Sequence, residues 1–159
     1  MQGLATMDDL PTVYLHSGQI YATAEPAVVR TILGSCVAVC LFDAEARVGG
    51  MNHFLLPTRQ DPSRSDLRYG NLATEQLITM VIARGGRMSR LEAKLFGGAS
   101  MMPTFGGGPR SLSRQNVLVA REVLASHGIA VVAESTDGRR GRNLFFETHT
   151  GAAYVREIG

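Results

Sequence analysis

Long apolar runs are absent from this sequence, and none approaches the length that a helix needs to cross a bilayer. The first twelve residues, MQGLATMDDLPT, carry acids where a signal peptide carries bases, and they contain no apolar core. We therefore expect a cytoplasmic protein without membrane insertion, in which residues 1–12 form a loose N-terminus.

Cysteine is scarce as well, since Cys36 and Cys40 are the only two. They do not provide the disulfide framework of a small secreted domain, and on one strand they would lie too far apart to bond without distortion. Both are therefore expected to be reduced thiols. A metal site of Cys36, Cys40 and His53 is the weaker hypothesis, because zinc sites usually contain CxxC-type pairs, and we expect neither a metal nor an organic cofactor.

Charge of one sign is not in large excess, because the formal net charge is only +2. One basic cluster, Arg139, Arg140 and Arg142, lies in a glycine-containing loop. It is either a solvated turn or a surface that guides an acidic partner. No basic stripe is interleaved with aromatic residues, so nucleic-acid binding is not expected.

The rest of the composition is that of a globular protein, with 45% hydrophobic and 19% charged residues in a chain of 159. We assign residues 13–159 to a single domain. Side-chain patterns predict a surface loop over 58–71, helices over 72–86 and 114–128, the second capped by Ser113, and several strands. The strands are expected over 13–23 (one or two), 37–43, 48–57, 91–96, 129–136 and, as a final hairpin, 143–158. This mixture indicates an α/β or α+β layered domain.

The predicted hairpin of strands 37–43 and 48–57 brings a thiol and an imidazole to one face of a sheet. With a two-residue turn at 44–45, Cys36 lies opposite His53. With a four-residue loop at 44–47, Cys36 is instead the diagonal neighbour of His53, about 7–8 Å away at the backbone. Both registers place the two side chains on one face, whereas a slip by one residue would separate them.

These parts suffice for acyl transfer. A free thiol has a pKa of about 8.5, and an adjacent imidazolium would lower that pKa. The Gly34-Ser35 turn lets backbone N–H groups approach a substrate oxyanion, and the glycine turn 97–100 is expected to border the pocket. The alternative is that Cys36, like Cys40, is a buried core residue, which is the commoner role of cysteine.

At this point several segments resemble one known family. LGSCVAVCLFD, VGGMNHFLLP, LEAKLFGGASMM and the stretch from RQNVLVAREVL to AAYVREI are similar, in this order, to the CheD family of bacterial chemotaxis. The resemblance covers about residues 13–157. It implies a three-layer α/β sandwich like the catalytic domains of deamidating toxins. It also implies hydrolysis of glutamine side-chain amides in methyl-accepting chemotaxis receptors, with ammonia release and a cysteine thioester intermediate.

The family's functional residues can be placed on this chain by their motifs. The resemblance implies that Cys36 is the nucleophile and His53 the base. The family's third residue, a Thr or Ser, lies just upstream of the cysteine, where this chain has Arg30, and Thr31 is the best substitute. Contacts to substrate and oxyanion are expected from Gly34, Ser35, Asn52, Gly98 and Ser100.

The resemblance also implies partners. The receptors are the expected substrates, and a CheC-type phosphatase is a further expected partner. The alternative function is a regulatory binding module that captures such a phosphatase or a receptor with little catalysis.

Overall fold

Nine strands in two sheets and two helices make up the part of the chain that the structure describes. It is a computed structural model and describes residues 7–61, 66–100 and 111–159. The strands are β1 (Thr12–Tyr14), β2 (Ile20–Thr23), β3 (Val28–Leu33), β4 (Val37–Asp43), β5 (Val48–Asn52), β6 (Glu92–Gly97), β7 (Ala130–Thr136), β8 (Arg142–Glu147) and β9 (Ala153–Glu157). The helices are α1 (Gly70–Ala83) and α2 (Leu112–Ser126).

The strands form a five-stranded sheet, β2-β5-β4-β6-β7, and a four-stranded sheet, β1-β3-β8-β9. Both sheets are mixed, because β6 pairs with β7 and β1 with β3 in parallel, while the other pairs are antiparallel. The side chains of β4 alternate between two cores. Val37, Val39 and Leu41 pack with the helices, whereas Ala38 and Cys40 pack against the second sheet. The α+β, three-layer architecture is therefore confirmed.

The hairpin predicted around residues 37–57 is confirmed, in the register that has the four-residue loop. Asp43 pairs with Val48 and Cys40 with Met51, so that residues 44–47 form the turn. The carboxylate of Asp43 accepts the N–H groups of residues 45 and 46, each at 3.0 Å. Arg90 lies 2.9 Å from the same carboxylate and holds it from the other side.

One strand was not predicted, and it is the one that carries part of the site. β3 begins two residues after Pro26, in a stretch for which the sequence analysis assigned no strand. It pairs with β8 over six residues, from Val28 opposite Glu147 to Leu33 opposite Arg142. The predicted strand 13–23 is two strands, β1 and β2, and they belong to different sheets.

Both helices begin earlier than predicted. α1 begins at Gly70 rather than residue 72. α2 begins at Leu112 with Ser111 as its N-cap, where the hydroxyl of Ser111 accepts the N–H of Arg114 at 3.2 Å. The prediction of Ser113 as the cap is wrong, because Ser113 is buried inside the first turn and its hydroxyl lies 3.1 Å from that of Ser100.

The N-terminal segment enters the fold at β1. Met7–Asp9 form a single 3-10 turn, and residues 1–6 of the expected loose segment lie outside the described residues. Within the described ranges, neither helix has the length and apolar character that a membrane span requires.

Candidate active site

Cys36 ends the short segment that carries the chain from one sheet to the other. β3 ends at Leu33 in the four-stranded sheet, and β4 begins at Val37 in the five-stranded sheet. The Cys36 side chain is half-buried and packs against the apolar residues between the two sheets. It therefore lies at one end of the sandwich, between its two sheet layers.

His53 lies directly after β5, on the same side of the five-stranded sheet. In the observed register it faces Ala38, so Cys36 is its diagonal neighbour. Its N–H donates to the carbonyl of Gln19 at 3.2 Å, and its carbonyl accepts from Gly18 at 2.7 Å. The main chain of His53 is therefore fixed by the segment before β2, and its ring is buried.

Thr31 holds the imidazole. Its hydroxyl oxygen lies 2.7 Å from Nδ1 of His53 and 2.7 Å from the carbonyl oxygen of Leu15. A carbonyl can only accept, so the hydroxyl proton goes to Leu15 and the hydroxyl oxygen accepts from Nδ1–H. This assigns the proton of the neutral ring to Nδ1 and leaves Nε2 free to accept another.

Arg30 lies on the opposite side of β3 and does not reach the histidine. Its guanidinium group lies 4.9 Å from the ring centre of Phe145 and 5.9 Å from that of Tyr14. Because side chains alternate along a strand, Thr31 points between the sheets while Arg30 points away from them. The structure thus places Thr31, and not Arg30, beside His53.

Burial favours the neutral forms of both site groups. It lowers the pKa of His53 to about 4, with a smaller contribution from the nearby His16, and the carbonyl of Leu15 acts against it. Burial likewise raises the pKa of the Cys36 thiol. The expectation that an imidazolium lowers the thiol pKa is therefore wrong for the free protein, because desolvation disfavours both charges. The resting pair is a thiol and a neutral imidazole.

The segment before β4 is held through its carbonyl groups. The donors are N–H of Ala99 to Gly34 (3.0 Å), Nδ2 of Asn116 to Ser35 (3.3 Å) and N–H of Gly98 to Cys36 (2.9 Å). By contrast, the N–H groups of Ser35 and Cys36 donate to no other residue in the described part of the chain. Fixed peptide planes with two adjacent open N–H groups are what an oxyanion requires.

Two glycines bring the end of β6 against this segment. Gly97 and Gly98 both have positive φ, at 104° and 70°, a region that favours glycine. A Cβ on Gly97 would overlap the carbonyl oxygen of Cys36, and a Cβ on Gly98 would overlap the side chain of Val117. The closeness of this contact explains why glycine is needed beside Cys36.

We expect Gly97→Ala to destabilise the protein by about 3 kcal/mol or more, because it adds overlap with the main chain to left-handed strain. Gly128→Ala is the matched control. Gly128 has φ of 70° and nothing within 4 Å of a Cβ, so that change should cost only about 1 kcal/mol. Urea unfolding of the two variants measures the difference, and equal costs would contradict the close contact.

The structure places Asn52 and Ser100 in other contacts. Asn52 is fully buried, and its Oδ1 accepts the N–H of Val39 at 2.8 Å on the helix side of the sheet. The N–H of Ser100 already donates to Gly138 at 2.8 Å. The predicted residues that the structure brings to Cys36 are therefore Gly34, Ser35 and Gly98.

Asn116 is a site residue that the sequence did not reveal. It is fully buried in α2, and its Nδ2 donates to the carbonyls of Ser35 (3.3 Å) and Leu55 (3.1 Å). It therefore connects the segment before Cys36 with the one after His53. The available signal was an Asn on the apolar face of a predicted helix, where a buried amide needs partners.

In residues 7–61, 66–100 and 111–159, no three His, Cys, Asp or Glu side chains are grouped as metal ligands would be. The chemistry available to the site is that of a thiol, an imidazole and backbone N–H groups. This set can form and hydrolyse an acyl group on sulfur.

Comparison with known proteins shows which family the chain resembles. A family model described as "CheD chemotactic sensory transduction" matches residues 55–157. The "Probable chemoreceptor glutamine deamidase CheD 1" of Anaeromyxobacter dehalogenans (strain 2CP-C) is 49% identical over 146 residues, which are 92% of this chain and 84% of that protein. A protein from Rhodospirillum rubrum named "Probable chemoreceptor glutamine deamidase CheD" is 42% identical over 153 residues, 96% of this chain and 85% of its own length.

A further relative with that name, from Sulfurimonas denitrificans, is 36% identical over 145 residues, 91% of this chain and 93% of its own length. The family model begins after His53, but matches over nine tenths of the chain extend across the segment of Cys36 and His53. On these grounds, the chain belongs to the CheD family.

Proposed function

We propose that this protein is a chemoreceptor glutamine deamidase, which hydrolyses glutamine side-chain amides of methyl-accepting chemotaxis receptors to glutamate and ammonia. The observation that carries the proposal is the imidazole of His53, oriented by Thr31 and lying on the same sheet face as Cys36. The names of the relatives support the choice of substrate. With two free thiols, the protein suits the reducing cytoplasm, where the receptor glutamines would be reached.

The first half of the reaction forms a thioester. Nε2 of His53 takes the proton of the Cys36 thiol as the sulfur attacks the side-chain carbonyl carbon of glutamine. The N–H groups of Ser35 and Cys36 stabilise the oxygen that becomes negative. When the tetrahedral intermediate collapses, the C–N bond breaks and the proton on Nε2 passes to the leaving nitrogen, which departs as ammonia.

The second half releases glutamate. Nε2 of His53, neutral again, takes a proton from a water molecule as its oxygen attacks the thioester carbon. The same N–H groups stabilise the second oxyanion. The C–S bond breaks, the proton on Nε2 returns to the sulfur of Cys36, and the side chain is released as a carboxylic acid, which loses its proton to solvent to give glutamate. In this scheme, charges on sulfur and imidazole form only during the reaction, consistent with a neutral resting pair.

Incubation with a purified cytoplasmic receptor fragment tests the proposal. Deamidation replaces NH₂ by OH, so peptide mass spectrometry should show a gain of one mass unit at specific glutamines, together with ammonia release. Binding of the fragment without any mass change would contradict the proposal. That result would instead favour a regulatory module that captures a receptor or a CheC-type phosphatase.

The role of Thr31 can be tested separately from folding. Thr31→Val keeps the shape but leaves the buried Nδ1–H of His53 without its acceptor, which costs about 1–3 kcal/mol. We expect kcat/KM to fall roughly tenfold to a hundredfold, while Thr31→Ser, which keeps the hydroxyl, stays within about threefold of the native rate. Equal loss in both variants, at equal thermal stability, would contradict the orienting role.

A further inference from the structure

The basic loop between β7 and β8 lies at the same end of the sandwich as Cys36. Within it, the carbonyl of Gly138 accepts the N–H of Ser100 at 2.8 Å, and the N–H of Asp137 donates to Gly97 at 3.0 Å. Gly97 and Gly98 in turn contact the main chain of Cys36. At about 3.3–3.6 Å per residue, this places residues 138–140 on the order of 10 Å from the thiol segment.

The loop is held from inside by an arginine that is itself buried. Arg142 donates from Nη1 to the carbonyl of Gly97 at 2.7 Å and from Nη2 to the carbonyl of Asp137. One member of the basic cluster found in the sequence is therefore structural. It fixes the loop to Gly97, at the end of β6 beside Cys36. The other two arginines of the cluster, Arg139 and Arg140, therefore lie on an anchored turn.

Arg139 and Arg140 are both exposed to solvent. Arg139 forms no ion pair with any residue that the structure describes. Arg140 lies 4.0 Å from Glu157, and both side chains are more than 60% exposed, so this pair contributes little. A nearby half-buried arginine, Arg114, is paired with Asp137 at 3.2 Å. The loop therefore presents two exposed cations, of which Arg140 has only a weak, solvent-exposed ion pair.

From this placement we propose that Arg139 and Arg140 form a docking surface for acidic protein segments, which directs glutamines flanked by carboxylates to Cys36. The inference rests on the proposed function for the identity of the reacting residue, and it specifies the class of segment that is bound. Cations at the rim of a site act mainly on the rate of encounter and on its salt dependence. They contribute selectivity between substrates without taking part in the chemistry.

A binding measurement separates this docking from catalysis. In a Cys36→Ala background, two fluorescent peptides are compared by anisotropy: one with a central glutamine flanked by glutamates, the other with serines in place of the glutamates. At about 20 mM ionic strength, where screening is weak, the acidic peptide should bind at least about tenfold more tightly. The double variant Arg139→Glu, Arg140→Glu should remove that preference.

Arg47 and Arg84 supply the matched control. Both are exposed, and they lie near the turn end of the hairpin. The N–H of Arg47 donates to the carbonyl of Asp43 at 2.8 Å across that turn, and Gly85, next to Arg84, lies against Val48. Seven residues of β4 separate this end from Cys36, or about 24 Å. The double variant Arg47→Glu, Arg84→Glu makes the same charge change and should keep the preference for the acidic peptide.

In protein that retains Cys36, the Arg139→Glu, Arg140→Glu change should lower kcat/KM for the acidic peptide about tenfold at low salt and leave kcat unchanged. The difference should fall to within about twofold at 0.5 M salt, where the Debye length is about 4 Å.

Two results would overturn the proposal: an acidic-peptide affinity within twofold of native in the Arg139→Glu, Arg140→Glu variant, or an equal loss of affinity in the Arg47→Glu, Arg84→Glu control. Tighter binding of an oligonucleotide of equal length would also overturn it. Failure of the native protein to deamidate any substrate would count against the proposed function, whereas the binding result tests the docking surface directly.

Discussion

Cys36→Ala is expected to abolish glutamine deamidation, lowering ammonia release from a receptor fragment by at least about a thousandfold. Two described thiols share the sheet face of His53: Cys40 is fully buried, and the partly exposed one is Cys36. The side chain is half-buried at the end of the sandwich. Its loss should therefore leave the far-ultraviolet circular dichroism and the melting temperature close to those of the native protein.

The matched control is Cys40→Ala. Cys40 lies four residues further along β4 on the same face, but it is fully buried between the sheets, and burial raises the pKa of its thiol strongly. This variant should lose roughly 1 kcal/mol of stability and keep its activity. Native turnover in Cys36→Ala, or loss of turnover in Cys40→Ala at equal folding, would show that the nucleophile has been misassigned.

His53→Ala should lower kcat/KM by about 10²–10⁴-fold, the usual contribution of a positioned general base. The pH dependence should change with it. In the native protein, activity requires a neutral imidazole, and burial lowers the pKa of His53 to about 4. The rate should therefore be flat through neutral pH and fall only as the pH drops toward about 4.

In His53→Ala, by contrast, the thiol has no base and must ionise by itself. Because burial raises the pKa of Cys36, the residual rate should rise about tenfold per pH unit throughout the neutral range. Ammonia release across pH 4–9, with circular dichroism in the same buffers, measures both profiles. A native acid limb near pH 6.5, or parallel profiles in the two proteins, would contradict a buried neutral base.

The fold and the core of the site were predictable where local patterns coincide with long-range pairing. β4 and β5 are joined by a short turn, so their β-prone runs and the alternation of side chains determine which residues share a face. That is why the sequence could predict that Cys36 and His53 lie on the same face of the sheet. The choice between the two registers depended on the turn at Asp43, which the structure provides.

The parts that were not predictable depend on contacts between distant segments. Thr31 reaches His53 only because β3 joins the other sheet, by pairing with β8 more than a hundred residues later. Asn116 meets Ser35 across 81 residues of sequence. No local periodicity encodes such contacts, so the sequence predicted that Cys36 and His53 share a face but not the framework that orients them.

The electrostatic state of the pair was also beyond the sequence. Adjacency of Cys36 and His53 suggests an ion pair, yet the sign of each pKa shift depends on how much water reaches the groups. The three-layer packing buries the imidazole and half-buries the thiol, and this burial lowers the pKa of His53 and raises the pKa of Cys36. When a substrate binds and excludes water, the reaction would therefore begin from a neutral thiol and a neutral imidazole.

The most direct measurement is the mass of the enzyme during turnover. A glutamine peptide mixed with the protein and quenched in acid should leave a fraction of the chain heavier by the peptide less ammonia, with the added mass mapped to Cys36. The adduct should be absent from Cys36→Ala. Steady deamidation without any sulfur adduct, or an adduct on another residue, would contradict the thioester on Cys36 from which the rest of the account is built.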